Sequence, residues 1–188
     1  MTPLKVAVTG GIGAGKSEAL RAFARRGVPT LSADEVVHRL IAEDPDVRAA
    51  LEERFGTTDR PGIAAIVFSD PDELAWLEAL LHPRVRQAEE EWLESAPAAV
   101  AAVEIPLLFE VGGETGFDVV VVITAPAEVR SARTTVRSDA RGKRLIPDEE
   151  KTARADFAYV NDGTLAELDA FVGGVFEQLA PARQRRDT

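Results

Sequence analysis

Cysteine is absent from the 188 residues. That excludes disulfides, thiolate zinc sites and thiol nucleophiles together. Long hydrophobic runs are missing as well. The longest aliphatic stretches, Ala98 to Val103 and Val119 to Ile123, are far too short to span a bilayer. Cations are outnumbered, with 22 Lys and Arg against 32 Asp and Glu, and a net charge of −10. Such a chain has no broad face for a phosphate backbone, so nucleic acid is not expected as a partner; one small anion site remains compatible with it. The N-terminus enters a short apolar run and then a Gly-rich turn at Gly10, leaving no room for a signal peptide. A cytoplasmic protein with no membrane partner is therefore expected. What is present is 45% hydrophobic and 29% charged residues, enough to build the core of one domain of ordinary size.

Patterning organises the chain. Leu4 to Thr9 reads as a strand, Gly10 to Gly15 as a turn, and Ser17 to Arg26 as a helix with Leu20, Phe23 and Ala24 on one face. Val28 to Leu31 is a second short strand, and Asp34 to Ala42 a helix. From about Asp44 to Ala96 the apolar residues keep helical spacing, and Pro83 is expected to break or kink that stretch. Ala98 to Ile105, Asp118 to Thr124 and Asp156 to Val160 read as strands. A helix starts at Pro126, and Leu165 to Leu179 is a closing helix before a frayed basic tail, 181–188. Strands alternating with helices, some apolar on both faces, predict a three-layer α/β core around a parallel sheet, with a helical insert.

Gly10-Gly11-Ile12-Gly13-Ala14-Gly15-Lys16-Ser17 fits the phosphate-loop pattern G-x-x-x-x-G-K-[ST]. Bare glycines admit phosphate oxygens against the backbone, successive N–H groups form an anion nest, and the following helix adds its N-terminus. Lys16 reaches the terminal phosphates as a point charge, and the Ser17 hydroxyl suits Mg²⁺. Chance produces this pattern on the order of once in a hundred chains of this length, and here it also lies between a strand and a helix. A guanine-reading N-K-x-D segment is absent, since Asn161 is followed by Asp162 and Gly163. The chain is short for a motor. A small-molecule kinase using ATP is the class that remains.

Further segments carry a family resemblance. Thr9 to Ser17 is followed by Ala33-Asp34, V-F-S-D-P from Val67, L-H-P-R-V from Leu81, E-I-P-L-L-F-E from Glu104, P-D-E-E-K from Pro147 and N-D-G from Asn161. In this order, over nearly the whole length, they resemble the dephospho-CoA kinases. The resemblance implies a P-loop kinase fold with a parallel sheet, a helical acceptor-binding insert and a short Arg-rich lid. It divides the single domain into a core (1–33, 97–137 and 148–180), an insert of about 34–96 and a lid of about 138–147. It implies transfer of the ATP γ-phosphoryl group to the ribose 3′-hydroxyl of dephospho-CoA, with Mg²⁺; a monomer is expected.

The same resemblance distributes roles. Gly11, Ile12, Gly13, Ala14, Gly15, Lys16 and Ser17 hold ATP, with Arg133, Asn161 and Gly163 beside them and Ser17 as the metal ligand. Asp34 orients and deprotonates the acceptor hydroxyl, with helix capping as the plainer reading. His82, Glu104, Pro106, Leu107 and Leu108 line the acceptor side, Glu104 being read as either an outer-sphere Mg²⁺ group or an acceptor-side group. For Glu104 the alternative is a strand-end residue already in solvent, and for Leu107 and Leu108 it is packing. Arg130, Arg133, Arg137, Arg141 and Arg144 crowd one stretch of an acidic chain; Arg133, Arg137 and Arg141 match family arginines best, and Arg137 and Arg141 are assigned to catalysis. Two departures stand out: Ser32 replaces a usual Asp, and the lid is several residues short. A kinase for another nucleoside or small acceptor, or a non-enzymatic ATP-binding regulator, is the alternative.

Overall fold

The computed structural model describes residues 2–133 and 145–186, with side chains as far as Leu179. Five strands form one parallel sheet: β1 (Leu4–Gly10), β2 (Thr30–Ser32), β3 (Val100–Glu104), β4 (Val119–Thr124) and β5 (Phe157–Val160). Their spatial order is β2-β3-β1-β4-β5. The chain leaves β1 for the β2–β3 side and later returns to β4 on the other, so the crevice beyond the C-terminal end of β1 is the topological switch point, where ligands bind in open α/β sheets.

Alternation within the strands builds both faces of the sheet. Val6 and Val8 of β1, Ala102 of β3, and Val121 and Ile123 of β4 pack with helices α1 (Lys16–Arg25) and α8 (Leu165–Arg186). Leu168, Val172, Val175 and Leu179 supply the inner stripe of α8 at spacings of four and three. The intervening residues Ala7, Val120 and Val122 pack on the other face with Leu108 and Phe109. Strands covered on both faces read as continuous aliphatic runs, which is why Val119 to Ile123 is uniformly apolar.

Two compact units result: 1–32 together with 93–188, and 33–92. The second unit is helical: α2 (Ala33–Glu43), α3 (Pro45–Phe55), α4 (Arg60–Val67) and most of α5 (Pro71–Ser95). Asp44 and Asp59 cap α3 and α4 by accepting from Val47 N and Gly62 N. Val47, Leu51, Ile63, Val67 and Leu81 form its core. The first unit adds α6 (Ala127–Arg133) and α7 (Asp148–Ala153).

Two expectations are corrected. Of the break or kink expected at Pro83, the break does not occur, because α5 runs through it to Ser95. Proline removes one N–H, and the burial of Leu81 and Val85 on either side outweighs the loss. Arg84 also donates to Leu80 O at 2.8 Å, occupying one carbonyl beside the defect. Nor does the tail fray at Pro181, since α8 continues to Arg186. Its start is a capping box: Glu167 accepts from Thr164 N, and Glu167 N donates to Thr164 Oγ1.

Helices α1 and α8 are clamped at the surface. Asp169 of α8 receives Arg25 and Arg26, each at 2.7 Å. The Arg26 and Arg25 guanidiniums hold the Asp169 carboxyl well below the usual carboxylate range. A depressed acid adds stability above its unfolded pKa and loses it as the pH falls through its folded value. Asp169→Asn is therefore expected to lower the thermal midpoint at pH 7, and the gap from wild type should narrow at pH 3 and below. An equal gap at both pH values would assign the effect to packing instead of charge.

Candidate active site at the phosphate loop

The loop between β1 and α1 is shaped by steric necessity. Gly10 has φ 140°, and a side chain there would collide with Ile123 O of β4. Gly15 has φ 104°, the left-handed cap of α1, and a side chain there would strike the Asn161 amide. Ala14 N closes the turn on Gly11 O at 3.2 Å. The buried Lys16 side chain folds back along the loop and donates to Gly11 O at 3.0 Å.

Ser17 and Glu104, 87 positions apart, meet here. The Ser17 hydroxyl donates to Glu104 Oε1 at 3.2 Å. Parallel register brings this about: Val8 of β1 lies opposite Glu104, so the end of β3 falls beside the phosphate loop. Glu104 is only 5% exposed, which removes the solvated strand-end alternative. Ser32 is its register partner on β2. Because the Ser17 O–H is committed to Glu104, its lone pairs remain available to a cation. One hydroxyl and one neighbouring carboxylate suit Mg²⁺, which takes few protein oxygens and keeps waters and phosphates as its other ligands. The donor set therefore fits the ion.

Asn161 braces the loop from below. It is buried, and its Nδ2 donates to Ala14 O at 2.8 Å. Arg133 Nη1 in turn donates to Asn161 O at 3.2 Å. Gly163 is close to Glu167, the acid of the capping box. Pro106 and Leu107 are half-buried in the turn after β3, whereas Leu108 is 1% exposed and belongs to the core. Of the three wall residues, Leu108 is thus committed to packing. Asp34 is exposed and stands second in α2, inside its first turn, two residues past the end of β2. His82 is half-buried in α5. Both belong to the helical unit. Arg137, Arg141 and Arg144 lie outside the described residues.

A buried ion pair was not read from the sequence. Glu110 Oε1 meets Lys151 Nζ at 2.6 Å and accepts from Ile146 N at 3.2 Å. Arg154 lies over the Phe109 ring and pairs with Glu114. Together these tie the turn after β3 to α7. Both partners of the ion pair stand in the quoted segments L-L-F-E and P-D-E-E-K, but nothing local to either segment indicates that they meet.

Comparison with known proteins decides the family. Residues 4–167 match the family model described as dephospho-CoA kinase. The chain belongs to the dephospho-CoA kinase family. This family member is 41% identical to the dephospho-CoA kinase of Deinococcus radiodurans, over 94% of this chain and 93% of that protein. A crystal structure from Thermus thermophilus superposes with a TM-score of 0.78 at 33% identity, covering 95% of this chain and 99% of the other. The dephospho-CoA kinase of Campylobacter jejuni shares the fold, with a TM-score of 0.66 at 24% identity over 95% and 98% of the two chains. As a member of the family the chain is an ATP-dependent kinase, and the expected P-loop kinase fold is the one observed. Among the described residues, no helix is long and apolar enough to cross a membrane.

The brace under the loop gives a direct expectation for this kinase. Asn161→Ala leaves the buried Ala14 carbonyl unpaired, a loss of about 1–3 kcal/mol. We expect the thermal midpoint to fall by a few degrees and the stabilisation by added ATP to shrink. Thermal shift with and without ATP checks both; an unchanged ATP-induced shift would confine Asn161 to a structural role.

Proposed function

We propose that this chain transfers the γ-phosphoryl group of ATP to the ribose 3′-hydroxyl of dephospho-CoA, giving CoA and ADP. The observation that carries the reading is the phosphate loop, with Ser17 and Glu104 joined at its mouth, in a chain of this family. Main-chain N–H groups from Gly11 to Ser17 cradle the phosphates, and Lys16 exchanges its bond to Gly11 O for a terminal phosphate oxygen. Ser17 would hold Mg²⁺, with Glu104 orienting the hydroxyl. When bound there, Mg²⁺ would supply neutralisation of the triphosphate charge.

Asp34 orients the 3′-hydroxyl and receives its proton as the new O–P bond forms and the bond between the γ-phosphorus and the bridging oxygen breaks. A carboxylate is a weak base for an alcohol. The transition state is loose, so proton loss comes late and positioning dominates. Pro106 and Leu107 form the acceptor wall, and His82 donates to an acceptor hydroxyl or phosphate. Asn161 and Gly163 border adenine through backbone groups, while the Asn161 amide is engaged by the loop. Arg133, Arg137 and Arg141 attend the triphosphate, and the enzyme acts as a cytoplasmic monomer.

A coupled ADP-release assay with a panel of acceptors tests the reading. ADP should appear on adding dephospho-CoA and not on adding other nucleosides or shikimate. Equal release with another acceptor would move the assignment to that acceptor, and none with any acceptor would leave a nucleotide-binding regulator.

A further inference from the structure

We infer that Arg130, held in place by Asp148, is an additional phosphate-binding residue at the mouth of the loop. The starting point is Gly11. Unlike Gly10, Gly13 and Gly15, it does not have a positive φ, so its backbone conformation does not demand glycine. A Cβ built there would lie 2.6 Å from Arg130 Nη1, the far end of a flexible side chain, with Arg130 Cζ and Cδ at 3.7 Å. The guanidinium therefore lies against bare loop backbone.

Its placement is set from two sides. Arg130 occupies the first turns of α6, where its N–H bonds Pro126 O, and its Nη1 donates to Asp148 Oδ2 of α7 at 3.1 Å. That bond engages one of five guanidinium N–H donors. The side chain remains about one-third exposed, at 32%. Two cationic groups thus converge on one residue, Lys16 Nζ at the Gly11 oxygen and Arg130 beside its Cα. An ammonium and a guanidinium at one loop residue are favourably placed for a polyanion. An Arg–Asp pair about one-third exposed contributes little stability by itself. The planar fork suits phosphate oxygens, which two parallel N–H bonds can hold together. This assignment rests on the proposed reading of the loop and adds to it a residue that the family pattern passes over in favour of Arg133, Arg137 and Arg141.

Calorimetric titration of ATP and AMP into wild type, Arg130→Met, Arg130→Lys and Lys16→Ala, with thermal midpoints for each, tests it. Arg130→Met should weaken ATP about tenfold, the low end for a charge-assisted bond, while AMP affinity and the midpoint hold. Arg130→Lys should recover part of the loss. Unchanged ATP affinity in Arg130→Met, with Lys16→Ala impaired, overturns the inference. So does an equal loss for ATP and AMP with a lowered midpoint, which would mark Arg130 as structural. If Lys16→Ala also binds ATP normally, the reading of the loop itself fails.

Discussion

Lys16→Ala is expected to weaken ATP binding and to lower turnover by about 10²–10³, the cost of removing one preorganised donor from a developing charge. The ammonium is buried along the loop, and its partner is the Gly11 carbonyl of that same loop. In that setting a phosphate oxygen gains from Lys16 more than it would in water, because the surrounding dielectric is low. Alanine leaves the glycine conformations and the Ser17–Glu104 bond in place, so the fold should survive. Lys16→Arg should not restore activity, because a planar fork is longer and broader than an ammonium and the loop is closed around the smaller group. Titration of ATP with and without Mg²⁺, followed by ADP release, measures both effects. Wild-type affinity in Lys16→Ala would remove the anion site from the loop.

Asp34→Asn is expected to act on chemistry alone. Turnover should fall by about 10² or more while ATP affinity stays at the wild-type value. The amide keeps an oxygen that can accept the hydroxyl hydrogen bond but cannot take the proton. Asn therefore separates positioning from proton removal, and Asp34→Ala removes both. A loose transition state predicts an ordering in which Ala is worse than Asn, with the gap reporting the share due to positioning. Exposure of Asp34 in the first turn of α2 makes both substitutions mild for stability. Near-normal turnover in Asp34→Asn would withdraw the residue from the reaction.

The proposals for these two residues come from local signals. Gly10 to Ser17 lies between a strand and a helix, and the loop pattern is complete within eight consecutive positions, although Ile123 and Asn161 are what a side chain at Gly10 or Gly15 would strike. Ala33-Asp34 follows β2 directly. The capping box Thr164 to Glu167 was equally local, and its S/T-x-x-E spacing could have revealed that the turn after Asn161 serves a helix start. Pro83 shows the opposite case: a strong local signal yielded to burial along α5.

The order of strands and helices, the anion loop and the family were determined by the sequence alone, since periodicity and contiguous motifs are properties of neighbouring residues. Tertiary structure decided which distant groups meet. Parallel register set Glu104 against Ser17, the loop after β5 carried Asn161 beneath Ala14, and α7 delivered Asp148 to Arg130 and Lys151 to Glu110. It also committed Leu108 to the core. No spacing rule encodes such pairs, because partners up to 147 positions apart become neighbours only when the sheet has closed its register and the helices have packed upon it.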